Sequence, residues 1–150
     1  MRYALVAIFA GSLALACAPA PLLAADVLIT EAEAGLPASP DAGLTLRGVT
    51  RGPSIEQVSP APDTGIKSPL PIKIKFIARN NAAIEVDSVK ITYLKSPSVD
   101  LTARLKSHLT ADGIEVLQAQ VPPGKHVLRV DIKDSQGRTT TSMIKLSVDK

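Results

Sequence analysis

Two histidines, His108 and His126, and four scattered carboxylates, Asp63, Glu85, Asp87 and Asp134, are the first candidates for metal binding or proton transfer in this 150-residue chain. A zinc or copper site gathers three or four His, Cys or carboxylate ligands at short spacings, and no such spacing joins the two histidines. Glu85 and Asp87 lie two residues apart and would share one face of a strand, where Asp63 or Asp134 could join them around calcium at a loop end. A hard cation takes about six to eight oxygens, so the expected state of these carboxylates is a solvated turn. Ser107 precedes His108, but neighbouring side chains point apart and no third acid is marked to orient the imidazole. Neither a G-x-S-x-G elbow nor a glycine-rich phosphate loop occurs. Paired glycosidase carboxylates would need a cleft that a small domain rarely supplies. The expectation is therefore no enzyme, with no catalytic, cofactor-binding or metal-ligating residue and no cofactor.

Lysine is the other chemistry-bearing type. Lys73, Lys75, Lys90 and Lys133 fall on the outward positions of predicted strands, where they would keep a sheet soluble and discourage edge pairing. Gathered into one patch, they would instead meet anionic lipid, polysaccharide or an acidic protein surface. Residues 53–150 carry fourteen Lys and Arg against ten Asp and Glu, a net +4, and residues 26–52 carry −2. Nucleic-acid binding pairs clustered cations with stacking aromatics. Beyond the leader only Phe76 and Tyr93 are aromatic, both at inward positions, so nucleic acid is not an expected partner.

The elements that position these groups are strands. Leu70, Ile72, Ile74, Phe76 and Ala78 alternate with Pro71, Lys73, Lys75, Ile77 and Arg79, the two-residue period of a pleat with one face buried. Val89, Ile91 and Tyr93 repeat the pattern, as do Leu128, Val130 and Ile132, and again Ile144, Leu146 and Val148. Residues 54–58 and 114–120 read as weaker strands. Asn80 and Asn81, Pro123 with Gly124, and residues 134–137 mark the turns. In 98–109 a helical spacing of Leu101, Leu105 and Leu109 competes with a strand spacing, and one or two helical turns are expected. Six or seven strands in about 100 residues predict an all-β domain, a single sandwich of two sheets over residues 53–150.

Ahead of it, Met1 and Arg2 start a charge-free apolar stretch over residues 3–16, too short for a bilayer span of about 20 residues and suited to a secretory signal. Ala24 and Ala25 offer a cleavage site, giving a signal peptide of 1–25 and a mature chain from about Asp26. Such a chain holds no cysteine and must rely on packing. Residues 26–52, with Gly35, Pro37, Pro40, Gly43 and Gly48 after a short helix at 30–34, read as a flexible linker. The alternative for 44–49 is an added strand at a sheet edge. Leu13 to Cys17 resembles the lipobox of bacterial lipoproteins, although Ala14 stands where Leu is usual. Membrane contact is expected only if Cys17 is lipidated.

The run VPPGKHVLRV from Val121 to Val130, followed by DIKDSQGR to Arg138, resembles the closing hairpin of bacterial immunoglobulin-like domains of the E-set type, and GPSIEQVSPAPDTGIKSP resembles their first strand and turn. The resemblance covers residues 52–150 and implies an immunoglobulin-like antiparallel sandwich of about seven strands. It also implies that His126 bonds back to the backbone as a tyrosine corner does. Such sandwiches serve many functions. The expected one is a non-enzymatic interaction or structural module of the bacterial envelope, periplasmic or extracellular, with an envelope protein as partner. The alternatives are an accessory module for envelope polysaccharide, or a small periplasmic enzyme or metal-binding protein.

Overall fold

The computed structural model describes residues 25–43 and 51–150. Residues 1–24, with the expected signal peptide and Cys17, and the alternative strand at 44–49 lie outside the described residues. The strands are β1 (Asp26–Val27), β2 (Ser54–Ser59), β3 (Gly65–Lys67), β4 (Leu70–Ile77), β5 (Lys90–Tyr93), β6 (Val99–Asp100), β7 (Leu109–Thr110), β8 (Gly113–Gln120), β9 (Gly124–Lys133) and β10 (Thr139–Asp149). They form two five-stranded sheets. The first runs β1, β8, β4, β2 with β7 also beside β8, and the second runs β3, β10, β9, β5, β6.

The pleat works as its period predicts. Leu70, Ile72, Ile74 and Phe76 of β4 are buried, and Pro71, Lys73, Lys75 and Ile77 face out. Their inward set meets Ile91, Tyr93, Leu128, Val130, Ile132, Ile144 and Leu146 of the second sheet in one core cluster. At about 1.5–3 kcal/mol per buried large apolar side chain, this contact between sheets is the main force holding the fold.

Two expectations are corrected. There are ten strands rather than about seven, because β1, β3, β6 and β7 are only two or three residues long and carry no readable period. The sheets are also mixed rather than antiparallel: β1 runs parallel to β8, and β3 runs parallel to β10. The second pair arises because one run serves both sheets. It borders β4 as β2, turns at Pro60 to Pro62, and borders β10 as β3. Gln57 stitches the crossing: its amide nitrogen donates to the Lys145 carbonyl at 2.9 Å, and its amide oxygen accepts from the Lys145 N–H at 3.2 Å.

Residues 26–43, expected within a free linker, are laid against the sandwich. Leu28 and Ile29 are each 2% exposed and belong to the core. The helix α1 (Glu31–Ala34) begins at a capping box of Thr30 and Glu33, which satisfies backbone donors that a helix start leaves open. Arg104 grips Glu33 with both terminal nitrogens, at 2.8 and 2.7 Å, and donates to the Leu28 carbonyl at 2.9 Å. Lys95 Nζ donates to the carbonyls of Ala34 and Leu36. Glycine and proline here turn the chain along the surface, and turns are not freedom. The Arg104 guanidinium holds the Glu33 carboxyl down at about 2. Its stabilisation is present above 4.5 and lost as pH falls towards about 2. Because the pair is partly exposed, Arg104→Ala is expected to cost about 1 kcal/mol at neutral pH. Urea denaturation at pH 7 and again at pH 2 measures this, and the difference between parent and variant should shrink at the lower pH.

The segment 98–109 contains the expected helical turns, α2 (Thr102–Leu105) and a 3-10 turn at Lys106–His108, flanked by β6 and β7. Asn80 and Asn81 adopt φ values of 53° and 59°, the left-handed geometry that asparagine tolerates. In the hairpin joining β9 to β10, Asp134 is fully buried and accepts from the N–H groups of Gln136 and Arg138 and from Arg138 Nε. Burial pushes its carboxyl up, but these donors outweigh burial and leave it below the usual carboxylate range.

Candidate functional site

β8 has two unlike edges. Along one it pairs with β4. Along the other, β7 covers Gly113 and Ile114, and β1 covers Ala119 and Gln120. Between them, Glu115 to Gln118 have no strand neighbour on that side among the described residues. The register with β4 also shifts here, opposite Pro71. A proline ring has no N–H for the ladder, and a bulge absorbs the defect. Leu117 and Gln118 consequently both face solvent. Leu117, at 68%, is the most exposed large apolar side chain described.

The opening is a groove of about 590 Å³ lined by Asp26, Ser107, His108, Thr110, Glu115, Leu117 and Gln118. Its polar wall is a contact of His108 Nε2 with Asp26 Oδ2 at 2.9 Å, which ties the turn before β7 to β1. Ser107 lies beside His108 here, with no hydrogen bond between the two side chains. Asp26 engages the imidazole through Nε2 and so links two of the segments that line the groove. Sequence reading weighed Ser107 and His108 together but missed Asp26, 82 residues away in the chain. Nothing local signals that contact.

His126 belongs to the core instead. It is 3% exposed, with Nδ1 at 2.7 Å from the Tyr93 hydroxyl and Nε2 at 2.8 Å from the Pro122 carbonyl. A carbonyl only accepts, so Nε2 carries the proton and Nδ1 accepts from Tyr93. Burial, with a smaller push from Lys95, lowers the imidazole below its usual value against the opposing Pro122 bond. Burial pushes the Tyr93 hydroxyl up to about 12. Both groups stay neutral at physiological pH and pin β5 to β9. Phe76, like Tyr93, is buried where expected.

The four carboxylates do not converge. Glu85 pairs with Lys133 at 3.5 Å, Asp134 is consumed by its own turn, Asp87 is exposed in the 3-10 turn Val86–Ser88, and Asp63 sits in the turn before β3. Among the described residues, no three His, Cys, Asp or Glu side chains form a group that could hold a metal ion.

The lysines separate as well. Lys73 and Lys75 lie on the outer face of the first sheet, where Lys73 pairs with Glu115 at 3.2 Å and Lys75 stands opposite Glu56. Lys90 and Lys133 lie on the outer face of the second sheet, so the four form no single patch. Lys125, Arg129 and Lys145, which the expected lysine patch did not include, share that second face with them. The signal was available: a tight hairpin at 134–137 fixes the register of the strands on either side.

No family model, no curated protein and no solved structure matches the chain. The functional reading therefore stands on the geometry above.

Proposed function

We propose that this chain is a non-enzymatic interaction module of the bacterial envelope, exported and built on an immunoglobulin-like sandwich, which meets a protein partner at the interrupted edge of β8. The order of the strands supports the immunoglobulin-like part. One edge run changes sheets and ends parallel to the last strand, while the remaining long neighbours are antiparallel. The Asp134 turn and the back-bond from His126 to Pro122 fall where the resemblance implies them.

The observation that carries the functional reading is Leu117, exposed within the four residues of β8 edge that have no strand neighbour among the described residues, and lining the groove. Soluble proteins usually cover or charge such an edge, and an extended segment from a partner can supply the missing backbone pairing. The surviving neighbours of Leu117, the His108–Asp26 pair and Glu115, would give polar specificity at the rim.

Capture from the envelope fraction tests this. The protein from Asp26 onward is expected to retain a partner, and Leu117→Glu is expected to lose it while changing stability by no more than about 0.5 kcal/mol. Ile77→Glu, at an exposed position elsewhere on the same sheet, should keep the partner. Equal capture by all three proteins, or equal loss in both variants, overturns the placement at β8.

A further inference from the structure

Cross-strand neighbours set the charge balance of each sheet face. On the first sheet every outward lysine of β4 has a carboxylate across from it. The second sheet keeps this rule at Lys90, opposite Asp131, and at Lys133, paired with Glu85, and departs from it along the β9–β10 seam nearer Gly124. In the register of β9 and β10, Lys145 stands opposite Val127, Lys125 opposite Ser147, and Arg129 opposite Met143. Lys145 is thereby the diagonal neighbour of both Lys125 and Arg129, at the roughly 7–8 Å separation of such pairs. Three cations surround half-buried Val127. Arg129 shares Asp131 at 2.9 Å, whereas Lys125 and Lys145 form no ion pair among the described residues. Like charges directly opposite destabilise a sheet; these are offset by two residues and repel more weakly through water, and an anion lying between them would relieve that repulsion.

We infer that the outer face of the second sheet binds an acidic polysaccharide across Lys125, Arg129 and Lys145. This goes beyond the β8 reading and concerns the opposite face of the sandwich.

Three features select that occupant. Lys125, Arg129 and Lys133 recur every fourth residue of β9, about 13 Å apart at a strand's rise, so the cations form a track rather than a point. Hydroxyls lie among them: Ser147 opposite Lys125, and Thr92 opposite Arg129. A groove of about 260 Å³ beside Lys125, Val127, Lys145 and Ser147, with Asp63 at its rim, gives the chain a recess. Firm binding to a bilayer draws on inserted apolar side chains as well as charge, and among the described residues the exposed large ones, Val27, Val58, Ile77 and Leu117, all belong to the first sheet. Single-stranded nucleic acid needs aromatic platforms, and the outward positions of β5, β9 and β10 hold none. Asp100, Asp131 and Asp149, on or beside this face, would repel the carboxylates of an acidic polysaccharide and favour a path along Lys125 and Lys145.

Alginate, a polymer of uronic acids, serves as the probe, with uncharged dextran as its control. Binding by the described protein is measured at low salt and again at higher salt, where screening should weaken it. Lys125→Gln with Lys145→Gln is expected to weaken alginate binding roughly tenfold. Lys73→Gln with Lys75→Gln removes the same charge from the other face and should change it by less than about twofold. Equal losses in the two double variants would mean that net charge alone acts, and overturn the site. Absence of alginate binding overturns it too, as does salt-sensitive binding to vesicles of anionic lipid that alginate fails to match. Leu117→Glu should leave alginate binding intact, so this inference and the β8 reading fail separately.

Discussion

Ile29→Ala is expected to lower the free energy of unfolding by about 2–5 kcal/mol, the range for truncating a fully buried large aliphatic side chain. The reasoning is geometric. Ile29 is 2% exposed, and its N–H, like that of Leu28, donates to the Gln120 carbonyl just beyond the two residues that pair with β8. The cavity left by three lost carbons would sit between the arm and the sandwich, where Arg104 and Lys95 hold the backbone too firmly for easy collapse. Val27→Ala, at a site 51% exposed two residues earlier, should change stability by no more than about 0.5 kcal/mol. Urea denaturation of both variants, with the slope unchanged, gives the comparison. If residues 26–43 trailed as a spacer, both substitutions would be silent, and that result would remove the arm from the core.

Mild acid is expected to destabilise the protein through His126. Its folded-state value lies below the ordinary 6.5 because burial disfavours the imidazolium. Below pH 6.5 the unfolded chain takes up this proton first, so stability present above that pH is lost as pH falls towards the folded value. The slope in that window reaches about 1.4 kcal/mol per pH unit for one group. His126→Gln retains an acceptor for the Tyr93 hydroxyl and a donor for the Pro122 carbonyl but cannot titrate. Denaturation midpoints measured from about pH 7.5 to 5 should slope downward in the parent and flatten in the variant. Parallel profiles would show that His126 does not carry the acid response. Protonation would also turn Nδ1 into a donor facing the Tyr93 hydroxyl, which must then swing its own proton into apolar surroundings. The local cost and the titration therefore point the same way.

The groove and the cationic face were legible to different degrees. Lys125, Arg129 and Lys145 could have been aligned on paper, since the alternation of β9 and β10 and the 134–137 turn together define their register. The alternation of a single strand shows only that each cation points outward, and it takes the folded hairpin to set Lys145 diagonally between Lys125 and Arg129. The β8 groove offered less. Leu117 looked like one more residue of a weak strand, and only Pro71 hinted at a defect, from a different strand. Asp26 met His108 through a parallel pairing of two residues, too short for any periodic signal.

Alternation along Leu70–Ile77 and its counterparts set, without coordinates, which side chains face inward and that two sheets must seal against each other. A pleat repeats every two residues, so a strand of four or more declares its buried face locally. Tertiary structure alone decided which edges meet, that the arm at Leu28 and Ile29 completes the core, and which stretch of β8 lacks a strand neighbour among the described residues. Those outcomes depend on backbone groups finding partners far along the chain, and a pairing of two residues leaves no period to read.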